Sequence, residues 1–311
     1  MKKFISILLF VYTSMLFAES IDITVSQGTD QSVIDTLSPA PASPEVDTNT
    51  TIKVTFNEAL NPIFALKSVS LKKLTKDNNN KGFFGIFQQN NQNSIKGTTR
   101  YNSSTYTISF TPDKPLEVGF YEVKFSHLIT QMPNIHMRIN DIVYRFYVPK
   151  VINGFKLPPK PDKDKNDETL LGIDFNYNGI RDDVERWAIM HYSNDPKYPK
   201  TKTAMALQYA WASQKILENP IPENKKYLDD AIDCQYYWLD KKTKGLTGFE
   251  FGKFSQDHRV FNDPILKDKI YNNRKRIQRY FKFNNTLNGN IFSARKQSID
   301  NCRINIDELG E

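Results

Sequence analysis

The chain of 311 residues lacks the motifs that mark the common enzyme sites. Its four histidines have no spacing that would bind a metal ion from one helix. HExxH, GxSxG and a glycine-rich phosphate loop are all missing, which removes the usual signs of zinc peptidases, serine hydrolases and nucleotide-binding proteins. One SxxK match, Ser70–Lys73, lies in a predicted strand. We therefore predict no catalytic residue.

Long apolar runs are missing after the N-terminal region. No later segment approaches the roughly 18 apolar residues of a membrane span. The N-terminus has two lysines, an apolar run from Phe4 to Phe17 and then Ala18, which is typical of a secretory signal. We predict a signal peptide over 1–18 and a short segment over 19–32; an uncleaved anchor is the alternative. The mature protein would be periplasmic, secreted or on the outer-membrane surface, without a transmembrane segment.

Cysteine is scarce, and only Cys234 and Cys302 are present. An exported protein meets oxidising conditions, so one disulfide between them is the simplest expectation, with two buried thiols as the alternative. Cys234 shares an apolar helical stripe with Ala231 and Trp238, where a structural bridge would lie.

Acidic residues are rare in one late segment of a chain whose formal net charge is +7. The basic residues of 264–282 are Lys267, Lys269, Arg274, Lys275, Arg276, Arg279 and Lys282. An exported protein meets acidic envelope polymers or lipid headgroups rather than nucleic acid, so this helix is a possible polyanion contact. The other interpretation is an ordinary solvated helix face.

Residues 33–150 alternate apolar and polar side chains over short runs. Examples are Ile52, Val54 and Phe56, and later Tyr121, Val123 and Phe125. Turn-forming residues separate the runs, so the pattern predicts an all-β sandwich. An Asn/Gln-rich insertion at 77–93 carries Phe83, Phe84, Ile86 and Phe87 and is either a contact loop or a segment packed on the sheet.

Two stretches of this region, Ile52–Pro62 and Tyr106–Phe125, resemble the bacterial Ig-like domains of the S-layer-protein (SbsA-like) type. The matching residues are Phe56, Glu58, Thr111, Pro112, Leu116, Gly119 and Tyr121. The resemblance implies an immunoglobulin-like sandwich that serves as a spacer or adhesive module, without catalytic residues.

The composition changes after residue 150. Residues 151–170, rich in Pro, Lys and Asp, predict a solvated linker. Residues 171–311 then show helical periodicity and predict an all-α domain stapled by the disulfide. Asp263 and Pro264 predict the start of one helix that runs to about Phe281.

Residues 174–185 have the twelve-residue spacing of an EF-hand calcium loop. Its side-chain ligands would be Asp174, Asn176, Asn178, Asp182 and Glu185, with the backbone carbonyl of Ile180. Gly179 stands where the loop turns sharply. The alternative is an Asp/Asn-rich turn that caps a helix without metal.

The loop is solitary, and prolines before it leave little room for an entering helix. Arg181 occupies position 8, where an apolar residue usually pairs with a second loop. The stretch Leu171–Tyr192 also resembles a segment of exported bacterial proteins, which supports calcium binding. We therefore expect a structural Ca²⁺ site rather than a calcium switch.

Together these features predict a calcium-binding, non-enzymatic protein of the bacterial envelope, in which an Ig-like module presents a helical domain for adhesion or partner binding. The alternative is a hydrolase of envelope polymers, with its site around Tyr236, Trp238 and Arg274–Arg279.

Overall fold

The computed structural model describes residues 33–74, 94–131, 138–261, 263–289 and 295–311. The chain divides into two units, Met1–Val148 and Pro149–Glu311. The predicted signal at 1–18, the segment at 19–32 and the 77–93 insertion lie outside the described residues.

The described residues of the first unit form two antiparallel sheets. Its strands are β1 (Ile34–Ser38), β2 (Ile52–Phe56), β3 (Val69–Lys73), β4 (Gly97–Asn102), β5 (Thr107–Pro112), β6 (Gly119–Phe125) and β7 (Ile142–Val148), with a short helix α1 (Pro62–Ala65). The strand orders β1-β2-β5-β4 and β3-β6-β7 are those of a seven-stranded immunoglobulin sandwich. The predicted Ig-like sandwich is confirmed.

The period-two pattern buries one face of each strand. Val54 of β2 is paired with Ile108 of β5, and both are fully buried. Tyr121 and Phe146 stack in the same core, with ring centroids 5.5 Å apart. Side chains of both sheets thus form one apolar core, as alternation predicts.

Tyr121 also fixes the entry to β6. Its hydroxyl donates a hydrogen bond to the carbonyl of Glu117, at 2.8 Å, four residues upstream. This is the local arrangement of the tyrosine corner of immunoglobulin sandwiches. Leu116, before this corner, is buried.

The described part of the second unit begins with a hairpin, and its other named elements are helices. Its elements are β8 (Lys150–Ile152), β9 (Phe155–Leu157), α2 (Lys163–Glu168), α3 (Asp182–Tyr192), α4 (Pro199–Glu218), α5 (Lys225–Thr243), α6 (Gly248–His258), α7 (Pro264–Ile270) and α8 (Arg274–Thr286). Short 3-10 turns cover Pro222–Asn224, Ile299–Asn301 and Ile306–Leu309. No described helix is long and apolar enough to cross a membrane.

The predicted linker at 151–170 differs from the structure, which has a hairpin and a helix there. Pro158, Pro159 and Pro161 are buried rather than solvated. Proline rings are apolar and need no partner for an N–H, so a proline-rich segment can pack onto a core as well as form a spacer. The composition alone does not distinguish the two.

The predicted helix from Asp263 to Phe281 is in fact two helices. Asp263 does cap α7, because its Oδ1 accepts the N–H of Ile265 at 2.8 Å. The chain then breaks after Ile270, and Asn273 caps α8 by accepting the N–H of Arg276 at 3.0 Å. The two asparagines at 272 and 273 favour this restart over an unbroken helix.

Candidate metal centre

The loop at 174–185 turns back on itself before α3 begins. The amide of Asp182 donates to the carbonyl of Ile173 at 2.8 Å, which closes the loop. Gly179 has φ +83°, a conformation that favours glycine, and Tyr177 also has a positive φ of 55°. A Cβ on Gly179 would lie 3.0 Å from the indole of Trp211, so this position also requires close approach.

Side chains from the loop bind its own backbone. Asp174 accepts the amides of Asn178 and Gly179, at 3.2 and 2.8 Å. Asn178 Oδ1 accepts the amide of Ile180 at 2.8 Å. Asn176 Oδ1 accepts the amide of Asn178 at 3.4 Å. These bonds shape the turn without metal.

Two of the predicted ligands, Asn176 and Asn178, meet at a third, the carboxylate of Glu185. Glu185 Oε1 accepts the side-chain amide of Asn178 at 2.8 Å, and Oε2 accepts that of Asn176 at 3.3 Å. Positions 3, 5 and 12 of the loop are thus adjacent. Ile180, the predicted carbonyl ligand, has a buried side chain that anchors the loop in the helical core.

Asp182 has the most unusual surroundings of the predicted ligands. It is fully buried, its Oδ1 accepts the amide of Phe175 at 3.0 Å, and its Oδ2 has no hydrogen-bond partner. Burial, with the charges of Glu185 and Asp174, raises the pKa of Asp182 to about 8. Burial also raises the pKa of Asp174. Three carboxylates that repel one another in a low-dielectric site would be stabilised by a cation.

The donor set is all oxygen, which suits a hard cation such as Ca²⁺. The orphaned Oδ2 of buried Asp182 is the observation that makes the residues fit such an ion. Among the described residues, no three side chains of the His, Cys, Asp and Glu types are placed so that they alone could hold a metal ion. A site here therefore depends on the amides of Asn176 and Asn178 and on the carbonyl of Ile180.

Arg181 has a role that the sequence did not predict. It is buried, pairs with Asp183 (Nε–Oδ1 2.5 Å) and donates to the carbonyls of Lys269 and Ile270, at 2.6 and 3.2 Å. It thereby joins the loop to the end of α7. The signal in the sequence was its unusual place at position 8 of the loop.

Trp211 of α4 lies next to Gly179 of the loop. The guanidinium of Arg303 lies 3.8 Å from its ring centroid, and the ring of Tyr227 meets it edge-on at 5.0 Å. Cys302, next to Arg303, is bonded to Cys234 of α5. The predicted disulfide is confirmed, and neither thiol is free.

The basic segment 264–282 is not a uniform solvated face. Arg276 is buried, and Arg279 donates to the carbonyls of Leu217 and Glu218 at 3.0 and 2.8 Å. These two guanidinium groups bind backbone carbonyls within the unit, because helix ends and turns leave such acceptors unpaired. The exposed basic residues of α8 are Arg274, Lys275 and Lys282.

The residues of the alternative hydrolase site have structural roles. Trp238 is buried and packs on Tyr198 and Phe254, with ring centroids 5.0 and 5.7 Å away. Tyr236 contacts Phe261, and neither Trp238 nor Tyr236 lines the cleft at Phe251 and Pro264 or the cleft at His191 and Asp195. His191 is exposed and stacks on Trp187, at 4.5 Å between centroids. His136 lies outside the described residues.

Residues 28–141 match the family model described as bacterial Ig-like domain. Among solved structures, the chain is 18% identical to domains 1–6 of the surface layer protein SbsC, with a TM-score of 0.24. The similarity covers 35% of this chain and 13% of that one. It is 17% identical to PcoC, a methionine-rich copper resistance protein from Escherichia coli (TM-score 0.26), covering 37% of this chain and 96% of that one.

CopC from Methylosinus trichosporium OB3b is also 17% identical, with a TM-score of 0.24, over 37% of this chain and 91% of that one. No curated protein matches the chain. The family match spans strands β1 to β6 and ends just before β7, so residues 28–141 are similar to a bacterial Ig-like domain.

Proposed function

We propose that this is an exported protein of the bacterial envelope that binds calcium for structural purposes, and that it acts by binding a partner rather than by catalysis. The Ig-like family match and the signal-like N-terminus support export. The buried, half-satisfied carboxylate of Asp182 in an all-oxygen loop supports the metal. That carboxylate is the single observation that carries the proposal.

The ligands would be the side chains of Asp174, Asn176, Asn178, Asp182 and Glu185 and the carbonyl of Ile180. When bound, Ca²⁺ would supply the positive charge that these carboxylates lack. Extracellular calcium sites of this kind can have dissociation constants as high as about 0.1–1 mM.

The metal would brace the start of the second unit. The segment before the loop is already tied to it, because the amide of Ile173 donates to Asn166 Oδ1 at 2.9 Å, and Gln214 of α4 donates to the carbonyl of Leu171 at 2.9 Å. Calcium would add to these ties by fixing the loop against α3 and Trp211. The proposed calcium site therefore acts inside the helical unit.

Calorimetric titration of the purified mature protein with CaCl₂ tests the site. We expect a binding heat that is lost in Asp174→Ala with Glu185→Gln. The matched control is Asp240→Ala with Asp268→Ala, which removes two exposed carboxylates outside the loop. Absence of calcium heat, or equal heat in both double variants, would refute the proposal.

Trp211 offers an independent optical measurement. Calcium should change the tryptophan fluorescence of the native protein, because the indole borders Gly179. Trp211→Phe should abolish that change while leaving the calorimetric heat. A calcium-dependent change that persists in Trp211→Phe would place the response elsewhere.

The alternative, a hydrolase of envelope polymers, is the weaker proposal. Its predicted residues are divided between the aromatic core around Trp238 and the backbone contacts of Arg276. Turnover of purified envelope polysaccharide or peptidoglycan, abolished by a substitution in the helical unit, would favour it instead.

A further inference from the structure

A cleft of about 500 Å³ opens between α6 and the first turn of α7. Phe251 and Pro264 line it with apolar surface, and Ser255, Arg259 and Asp263 with polar groups. A second cleft, of about 320 Å³, shares Arg259 and Asp263. Small-ligand sites usually combine an apolar wall with a few polar groups in a volume of this order.

Arg259 is held in position without a carboxylate. Its Nη2 donates to Ser255 Oγ at 2.8 Å, and its guanidinium lies 5.3 Å from the ring centroid of Phe261. No ion pair within the described ranges includes it. A guanidinium keeps its charge at any physiological pH, so this position is a fixed cation.

One donor of Arg259 is buried without an acceptor. Its Nε has no hydrogen-bond partner, although buried N–H groups in folded proteins nearly always have one. The contact with Phe261 and the bond to Ser255 hold the guanidinium in place beside the cleft.

The carboxylate of Asp263, which lines the first cleft, is engaged elsewhere. Asp263 Oδ1 accepts the amides of Ile265 and Leu266, at 2.8 and 3.4 Å, and Oδ2 accepts the hydroxyl of Tyr192 at 2.6 Å. Its charge is thus directed at the N-terminus of α7. Asp257, which is exposed, lines only the second cleft, where Lys202 and Asp195 form an ion pair at 2.6 Å.

We propose that the first cleft binds the carboxylate of a ligand that also carries an apolar group. Arg259 would receive the carboxylate through its planar fork, and Phe251 and Pro264 would contact the apolar part. The ligand is either a small organic acid or the C-terminal carboxylate of a peptide, since both offer this chemistry.

Titration calorimetry with hexanoate, acetate and hexanamide tests the first source, and a short peptide ending in Phe, with a free or an amidated C-terminus, tests the second. We expect the free-acid probe with an apolar group to bind about tenfold or more tightly than its amide, the usual effect of a hydrogen bond to a charged group. Hexanoate should also bind more tightly than acetate, because it adds an apolar chain. Whichever binds more tightly, hexanoate or the peptide with a free C-terminus, identifies the source of the carboxylate.

Arg259→Gln should remove the preference for acid over amide, and Arg259→Lys should restore only part of it. Arg274→Gln, at an exposed arginine of α8, is the matched control and should behave as the native protein. Thermal unfolding checks that each variant folds. Equal affinity for acid and amide, unchanged binding by a folded Arg259→Gln, or no binding of any probe would overturn the proposal.

Discussion

Single residues decide how closely the segments of the helical unit approach one another. Gly172, just before the loop at 174–185, has φ +72°, and a Cβ there would lie 2.2 Å from Cδ of buried Arg181. Gly245 has a similar φ of +86°, but a Cβ there meets nothing within 4 Å. A comparison of substitutions at the two glycines therefore separates the cost of backbone strain from the cost of a steric clash.

We predict that Gly245→Ala lowers the free energy of unfolding by about 1–2 kcal/mol, the cost of a left-handed conformation for alanine. Gly172→Ala should cost about 1–3 kcal/mol more, because the methyl group must also displace a packed guanidinium. Urea unfolding measures both. Equal costs would mean that Arg181 moves aside freely.

Tyr121 offers a test at the residue scale in the first unit. Burial raises the pKa of Tyr121 to about 12, against an ordinary value near 10 in the unfolded chain. A raised pKa in the folded state gives stability that is complete below pH 10 and is lost as the pH rises toward 12.

Tyr121→Phe should therefore cost about 1 kcal/mol at pH 7, through loss of the bond to Glu117. The difference between the two proteins should shrink as the pH is raised from 9 to 11, as denaturant midpoints at each pH would show. A constant difference would indicate that the phenol does not titrate differently on folding.

At the scale of the elements, one side chain of α8 ties this helix to the end of α2. Its buried Arg276 donates to the carbonyls of Asn166, Thr169 and Leu170, at 2.7, 3.2 and 3.0 Å, and pairs with Asp167 at 2.8 Å. This one side chain satisfies the end of α2. Burial, together with the charge of Arg181, lowers the pKa of Arg276.

We predict that Arg276→Met destabilises the second unit by about 3–5 kcal/mol, because it leaves several buried carbonyl acceptors without their partner and removes one of the two cations paired with Asp167. Arg274→Met, two residues earlier on the exposed face, should change stability by less than about 0.5 kcal/mol. Chemical denaturation of both variants measures the contrast. Similar small effects would show that water can replace the guanidinium.

The sequence predicted elements where the local signal was strong. The alternation in β2 and β6 and the cap of Asp263 needed only neighbouring residues, and all appear in the structure. The burial of Arg276 could not be predicted, because the backbone carbonyls that it binds lie more than a hundred residues earlier. The same holds for Arg181, whose acceptors belong to a helix far along the chain.

At the scale of the whole molecule, the disulfide bond lies entirely within the second unit. Cys234 and Cys302 are 68 residues apart in sequence, and the bond ties the last described segment to α5. The same segment is held by Arg303 on Trp211 and by Gln208, whose Nε2 donates to the carbonyl of Asn301 at 2.6 Å.

Replacement of both cysteines by serine should lower the unfolding free energy of this unit by about 4 kcal/mol, the chain-entropy value for such a loop. Hydrogen exchange should accelerate in the core helices of 149–311, with the strands of 33–148 as the internal reference. Equal acceleration in both units would contradict this localisation.

The bonds between Arg276 and residues 166–170 also affect the order of folding. They join groups 106 to 110 residues apart, so α2 can form early but cannot be completed until α8 is available. Contacts so distant in sequence slow folding, because a long loop must close before they contribute. During synthesis, the start of the helical unit would therefore remain a nascent, unfinished structure until nearly all of that unit has emerged.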